Sequence, residues 1–562
     1  MLTMKGGSRR TVNQNTALSV DGTIIARWTA NPLITFTSSI PGEVWKHINF
    51  TVKSVGALYD GSGGYQSGSI IEYATIENAG AQAVLADGAI QLFNAHPYLN
   101  QLIVQNNNAS GIYGVGLTSL LKISNSDITG NTSSPGLGGG GVSLDGVVNS
   151  QIEISGNTIQ NNNTQTEGGG VRVINVDVLD FDNNIVSGNQ ADGDGGGIYI
   201  NSLQGTIADN FIKNNTINNN LANADDVGAN GGGGVWIDSS DITITNNVIA
   251  DNDAEEGGGV ILGQSLTASS VISKNLIMGN NAIINGGGMH IDNGSHIVSE
   301  NVIYNNSASD PNASHAGGID VHEGSIAITN NIIANNSSYK WFLNLPGVVT
   351  FDNNSIVDNY ITKQSVGGSP APAIILTQAV SMQQNTLSGN DAKTESFIAY
   401  LLPTVATNMS NNNFLNNTAA VLVNNPFAMN VMAQGVWWGT TDPVVISSLV
   451  VGTVDVSAPA GAPRIDAPIS PPTGVSAIAG NGEITVNWDA NPEADVAGYK
   501  VYWGNQTVPD IENVQDVGNV TSFIISTVTP GVYFIAVTAN DGTASSDDVA
   551  TLVNEDQTAG TE

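Results

Sequence analysis

The 562-residue sequence contains no cysteine, so no disulfide can staple it and its stability must come from packing. That absence is compatible with export. Basic residues are scarce, 15 Lys and Arg against 49 Asp and Glu, for a formal charge of −34. Such a balance disfavours nucleic acid and anionic membrane surfaces as partners, and no basic patch offsets it. No apolar run approaches the ~18 residues that cross a bilayer, so membrane insertion is not expected. Met1 to Arg10 carry charge without a following apolar stretch, and no signal peptide is visible. At 40% hydrophobic residues the chain still has enough apolar material to fold.

What the chain has in abundance is a repeat. The pattern Asn, any residue, a branched aliphatic, two residues, Asn starts at Asn157, Asn184, Asn215, Asn247, Asn275, Asn301, Asn331, Asn354 and Asn385. Runs of two to four glycines recur between the copies. A helical repeat would show apolar residues every three to four positions, but here they alternate. From Gly231 the coil reads as four glycines, Val235-Trp236-Ile237, a polar corner, Ile242-Thr243-Ile244, then Asn246 to Asn252. Three short strands separated by corners are expected. Val235 and Ile237 would enter a narrow core while Trp236 points out. Stacked parallel ~4.8 Å apart, such coils bury one aliphatic column and pair each backbone with the coils above and below. The glycines fit corners that need positive φ or close approach. The asparagines fit corners that tolerate the left-handed region and carry amide ladders.

These features resemble the right-handed parallel β-helix proteins of the pectate-lyase-like superfamily, especially the glycine-rich repeats of bacterial surface and polymorphic outer-membrane proteins. The resemblance takes in Leu18 to Thr23, Ile34 to Ser38, Trp45 and Ser69 to Glu77 upstream, and Val436-Trp437-Trp438-Gly439 with Pro459 and Pro463 downstream. Ala467 to Pro472 read as a stiff linker. Beyond it, Val475 to Ile478, Ile484 to Trp488, Tyr499 to Trp503 and Val532 to Val537 alternate at sandwich spacing. This tract resembles a fibronectin type III module, which would make Trp488 its core tryptophan and Tyr533 its corner tyrosine. An all-β chain is expected: a tail over 1–17, a right-handed parallel β-helix over 18–466, a linker over 467–473, a fibronectin-like sandwich over 474–554 and a tail over 555–562. The resemblance implies an extracellular or cell-surface protein.

If the glycine runs keep the coils in register, the outward residues form a file: Ser143, Arg172, Tyr199, Trp236, Ile261, His290, Asp320. Two residues on lies a second: Asp145, Ile174, Asn201, Asp238, Gly263, Asp292, His322. Structural ladders repeat one residue type, whereas these files vary. Arg172, Tyr199, Trp236 and Asp238 would suit sugar rings that stack on aromatics and hydroxyls that need charged acceptors. A polysaccharide or cell-surface glycan is the partner this implies, against an ordinary solvated sheet face. His290 beside Asp320, and Asp292 beside His322, would form a quartet fit for general acid or base work, for ligating a divalent cation, or for plain surface pairing. His296 and His315 fall in loops.

Carboxylates also gather before the glycine runs: Glu167, Asp192 and Asp194, Asp225 and Asp226, then Asp251, Asp253, Glu255 and Glu256. Calcium takes six to eight oxygens from such loops, which makes Asp192, Asp194, Asp251, Asp253 and Glu256 candidate ligands, with solubilising charge as the competing role. The spacing matches neither an EF-hand nor the glycine-rich nonapeptide calcium repeat. Two main function classes follow, a glycan-binding or adhesive surface protein and a polysaccharide lyase or glycoside hydrolase. A mechanical stalk is a third. Lyases of the resembled superfamily need Lys or Arg on the face, and Arg172 is the only one in either file. A neutral substrate would leave Asp238, Asp292 or Asp320 as acid and base.

Overall fold

Alternation decides which side chains enter the core. In the computed structural model Val235 and Ile237 are almost fully buried while Trp236 between them is half-buried. The structure describes residues 2–4, 7–31, 33–80, 88–133, 135–223, 231–310, 316–362, 365–366, 369–370, 372–377, 381–393, 397–401, 406–469, 472–505, 513–540 and 560–561. Asp225, Asp226 and His315 lie outside these. Two compact units emerge, Met1–His296 with Ser307–Asp320, and Ile297–Asn306 with Val321–Glu562.

The first unit is a parallel β-helix. Its coil after the glycine run at 231–234 has strands Val235–Asp238, Ile242–Thr245, Val248–Ala250 and Asp253–Glu256. Four strands per coil replace the expected three. The fourth is masked in the sequence because Asp253-Ala254-Glu255-Glu256 gives the core a single apolar side chain, Ala254. Equivalent residues stack in parallel register, as in Val171, Ile198, Val235, Val260 and Met289, all fully buried. The coils begin earlier than expected. Leu2–Met4 and Arg9–Val12, inside the segment read as a tail, pair in parallel with Ile24–Ala26 and Ile34–Ser38.

The repeated asparagines line two buried ladders. In one, Nδ2 of Asn157, Asn184, Asn215 and Asn247 each donates to Oδ1 of the next, ending on Asn275, at 2.9–3.1 Å. In the other, Asn131, Asn162, Asn189, Asn220 and Asn252 do the same, ending on Asn280. The ladder residues do not take the left-handed conformation expected of them. The residue just before each does: Asn183, Asn214, Asn246, Lys274 before the first ladder, and Asn161, Gly188, Asn219, Asp251, Gly279 before the second. A ladder amide must point inward to reach the carbonyl of the coil below, so the turn itself falls to its neighbour.

Each glycine run has a division of labour visible at 232–234. Gly232 has φ +68 and lies under the Trp236 side chain, where an added Cβ would sit 2.6 Å from Trp236 Cβ. Gly233 faces backbone of the next coil, with Asp253 O and Gly258 O at 2.5 and 2.6 Å from such a Cβ. Backbone cannot rotate away, so the coils would have to part. Gly233→Ala is therefore expected to cost roughly 1–3 kcal/mol in denaturant unfolding. Gly22→Ala, with nothing within 4 Å of the new methyl, should stay within about 0.5 kcal/mol of the parent.

The second unit continues the same strand types. Ile332–Ala334, Ser355–Val357, Thr386–Ser388 and Asn413–Leu415 pair in parallel, and the ladder Asn301, Asn331, Asn354, Asn385 ends on Asn412. Trp438 stacks on Phe414 at 5.3 Å, and the one helix among the described residues, Pro443–Ser448, is capped by Asp442. Towards the C-terminus the pairing turns antiparallel. One sheet joins Ser476–Ala479, Glu483–Asn487 and Ser522–Ser526, and another joins Asn513–Gly518, Gly498–Gly504 and Phe534–Asn540. Trp488, Tyr499, Val501, Ile535 and Val537 share a buried core there. No described helix is long and apolar enough to cross a membrane.

Candidate functional site

The outward file stacks in the expected order: Ser143 beside Arg172, Arg172 beside Tyr199, Tyr199 beside Trp236, Trp236 beside Ile261 and Ile261 beside His290. The face is not the open one anticipated. Tyr199 is 9% exposed, Ile261 3%, and His290 and Asp320 not at all. Each outward side chain lies over the glycine four residues before it: Arg172 over Gly168, Tyr199 over Gly195, Trp236 over Gly232, Ile261 over Gly257, His290 over Gly286. The file accordingly ranges from half-buried Arg172 and Trp236 to fully buried His290 and Asp320.

A column of residues, each five positions before an outward one, flanks this file. The carbonyls of Glu167, Asp194, Gly231, Glu256 and Asn285 accept the N–H of Gly139, Gly168, Gly195, Gly232 and Gly257 in the preceding coil, at 2.8–2.9 Å. Gly231 puts no side chain into that column, and Gly263 puts none into the second outward file between Asp238 and Asp292. Where both columns lack a side chain a cleft of about 280 Å³ opens, lined by Asp194, Gly231, Trp236, Asp238, Glu256, Ile261, Gly263, Gln264 and Asp292. The Trp236 ring forms one wall, backed by Tyr199 at 4.6 Å with 2° between the planes. Asn201 Nδ2 donates to the Tyr199 hydroxyl at 3.2 Å, which fixes the backing ring.

Burial pushes the Asp194 carboxyl up to about 6, and the charges of Glu167 and Glu256 add to the rise. The Gly231 N–H, donating to Asp194 Oδ1 at 2.9 Å, opposes it. Glu256 Oε1 accepts from Asn285 Nδ2 at 2.8 Å. Asp238 Oδ1 is buried without a hydrogen-bond partner among the described residues. Behind Asp292 sits His290, whose Nε2 meets Asp292 Oδ1 at 3.1 Å and whose Nδ1 meets Asp320 Oδ2 at 2.9 Å. Desolvation opposes the charged ring, but the hydrogen bonds and charges of the two carboxylates outweigh it and raise His290 to about 9. His290 is accordingly an imidazolium at neutral pH, donating from both nitrogens, and it orients Asp292 at the cleft.

Sequence reasoning assigned these residues to separate groups, and the structure redistributes them. Asp194 and Glu256 from the calcium set join Trp236 and Asp238 from the glycan set and Asp292 from the catalytic set. Asp251 and Asp253 do not line the cleft; they are exposed at the ladder corner, where Asp251 takes a left-handed φ of 52. Asp192 is half-buried, its N–H donating to Thr164 O. Arg172 stays beside Glu167, 3.6 Å away, and does not line the cleft. Asp292 pairs with His290, its neighbour two residues back, and His322 is a half-buried residue of the second unit. His296 is structural: its Nδ1 accepts the Ser270 N–H and burial lowers its pKa. Gln264 was missed altogether. The available signal was the five-residue step from Glu167 to Arg172, Asp194 to Tyr199, Gly231 to Trp236 and Glu256 to Ile261, which ties each residue before a run to an outward one.

Residues 140–338 match the family model described as the right handed beta helix region. With the parallel coils above, the match makes this chain a right-handed parallel β-helix solenoid over that span. No curated protein and no solved structure matches it.

Proposed function

We propose that this protein binds glycans in the cleft beside Trp236, as an extracellular or cell-surface protein whose C-terminal antiparallel sheets act as a fibronectin type III-like spacer. The observation that carries the reading is the aromatic wall, a half-buried indole on a rigid ladder, facing carboxylates that can accept sugar hydroxyls. A buried Trp488 and a Tyr533 hydroxyl bonded to the Thr529 N–H agree with the fibronectin-like reading of the tail. Trp236→Ala is expected to weaken glycan binding on the order of tenfold or more in array and titration measurements. Gly263→Leu, whose side chain would fill the cleft and press on Asp238 while keeping the indole, should do the same. Unchanged binding by both variants would remove the cleft from consideration.

Hydrolysis is favoured as a second reading by one feature. Asp194, pushed up to about 6, shares the cleft with Asp238 and Asp292, and carboxyls in differing environments are how a glycosidase divides acid from base. Release of reducing ends from a polysaccharide panel, lost in Asp194→Asn, would establish it. Lyase chemistry on uronates fits less well, since none of the residues lining the cleft is Lys or Arg. Calcium remains a proposal on the strength of the acidic loops alone.

A further inference from the structure

Building on the cleft as a glycan site, we infer that its ligand is an amino sugar carrying a free, protonated amine, rather than a neutral sugar or a uronate. The charge is one-sided. Asp194, Asp238, Glu256 and Asp292 line the cleft with no cationic side chain among the lining residues. His290, whose ring meets the lining residue Asp292, is already held between Asp292 and Asp320. Asp238 is half-buried on the wall beside Gly263 and offers its carboxylate to the cleft from the strand that carries Trp236. Burial first, and then the charges of Glu167 and Glu256, raise the Asp194 carboxyl, so the cleft disfavours any further negative charge.

The walls exclude the simpler ligands. A bare divalent cation needs converging oxygens and gains nothing from an indole and Ile261, which together occupy part of the lining. A sugar ring stacks on the indole, and an ammonium close to that face adds a cation–π term. A uronate would bring a fifth negative charge. A neutral sugar could stack but would leave the negative field of the cleft uncompensated.

The test is titration calorimetry of the full chain at low salt near pH 6, low enough to protonate a sugar amine whose pKa the neighbouring ring oxygens hold well below that of a lysine. Glucosamine tetramer, N-acetylglucosamine tetramer, a lysine tetrapeptide and calcium chloride are the four titrants. The free-amine tetramer is expected to bind about tenfold more tightly than its acetylated counterpart, with the difference shrinking as salt rises. Asp238→Asn and Glu256→Gln, both near-isosteric, should each narrow the gap, with melting curves confirming that they fold. Equal affinity for the two tetramers overturns the inference and leaves the glycan site standing. Failure of both tetramers overturns the glycan reading as well. Tighter binding of the lysine peptide, or calcium binding that excludes the amine, also overturns it.

Discussion

Asn215→Leu is expected to cost on the order of 4 kcal/mol, because four buried hydrogen bonds meet on one side chain. Its Nδ2 donates to Phe181 O at 3.0 Å and to Asn247 Oδ1 at 2.9 Å, while its Oδ1 accepts from the backbone N of Asn184 at 2.7 Å and from Asn184 Nδ2 at 3.1 Å. The residue is 1% exposed, so water cannot replace what leucine removes. Each buried group left unpaired costs about 1–3 kcal/mol, against a modest gain from added apolar surface. Asn215→Asp should be at least as damaging. It keeps the acceptor but turns lone pairs towards Phe181 O and Asn247 Oδ1. Asn214→Gly is the control, since glycine adopts its φ of 56 freely and the one side-chain bond lost, from Asn214 Nδ2 to Asp182 Oδ1 at 2.8 Å, is exposed. Denaturant unfolding gives the size of the loss, and hydrogen exchange locates it in the coils either side. A loss under about 1 kcal/mol would mean that the ladder sets geometry without contributing stability.

That division between Asn214 and Asn215 also marks how far the sequence could be read. Periodicity alone separated core from surface, because Val235 and Ile237 cannot share a face with Trp236 on a strand. It also found the ladder, since only a stacked structure rewards the same amide in every coil. It could not say which of two consecutive asparagines turns the chain and which bonds inward. Lys274-Asn275 and Glu300-Asn301 held the clue, as the turning residue there is not asparagine at all. The burial of the outward file was illegible for another reason. It depends on the glycines packing against Tyr199 and Ile261 from the chain four residues earlier, and nothing in an alternating pattern records that contact.

The cleft was harder still, because it is made of absences in two columns. Gly231 follows a stretch of the chain longer than its counterparts in neighbouring coils, so its place between Asp194 and Glu256 emerges only from the bonds of Gly195 N to Gly231 O and of Gly232 N to Glu256 O. Gly263 looked like one more glycine in a glycine-rich chain. Composition named the carboxylates and the indole, but stacking decided that residues drawn from three separate lines of reasoning would face one another.

His290→Gln carries the other large effect. Asp320 and His290 are both fully buried, and removing the imidazolium leaves a carboxylate in the interior without its charged partner, a change that typically costs about 3–5 kcal/mol. The pH dependence has a defined sign. The folded-state pKa of about 9 lies above the ordinary value of 6.5, so the stabilisation is complete below about 6.5 and is lost as pH rises through about 9. Across that window the parent protein should lose roughly 3 kcal/mol from this group. With no cysteine in the chain, no thiol titrates there to blur the measurement. Unfolding curves at intervals between pH 6 and 10 should therefore slope downward for the parent and run flatter for His290→Gln. Adding Asp320→Asn to the variant removes the stranded charge and should restore part of the loss. Parent and variant profiles that run parallel would show that the ring is held neutral, and the orientation of Asp292 at the cleft would then rest on a single hydrogen bond and not on a charge pair.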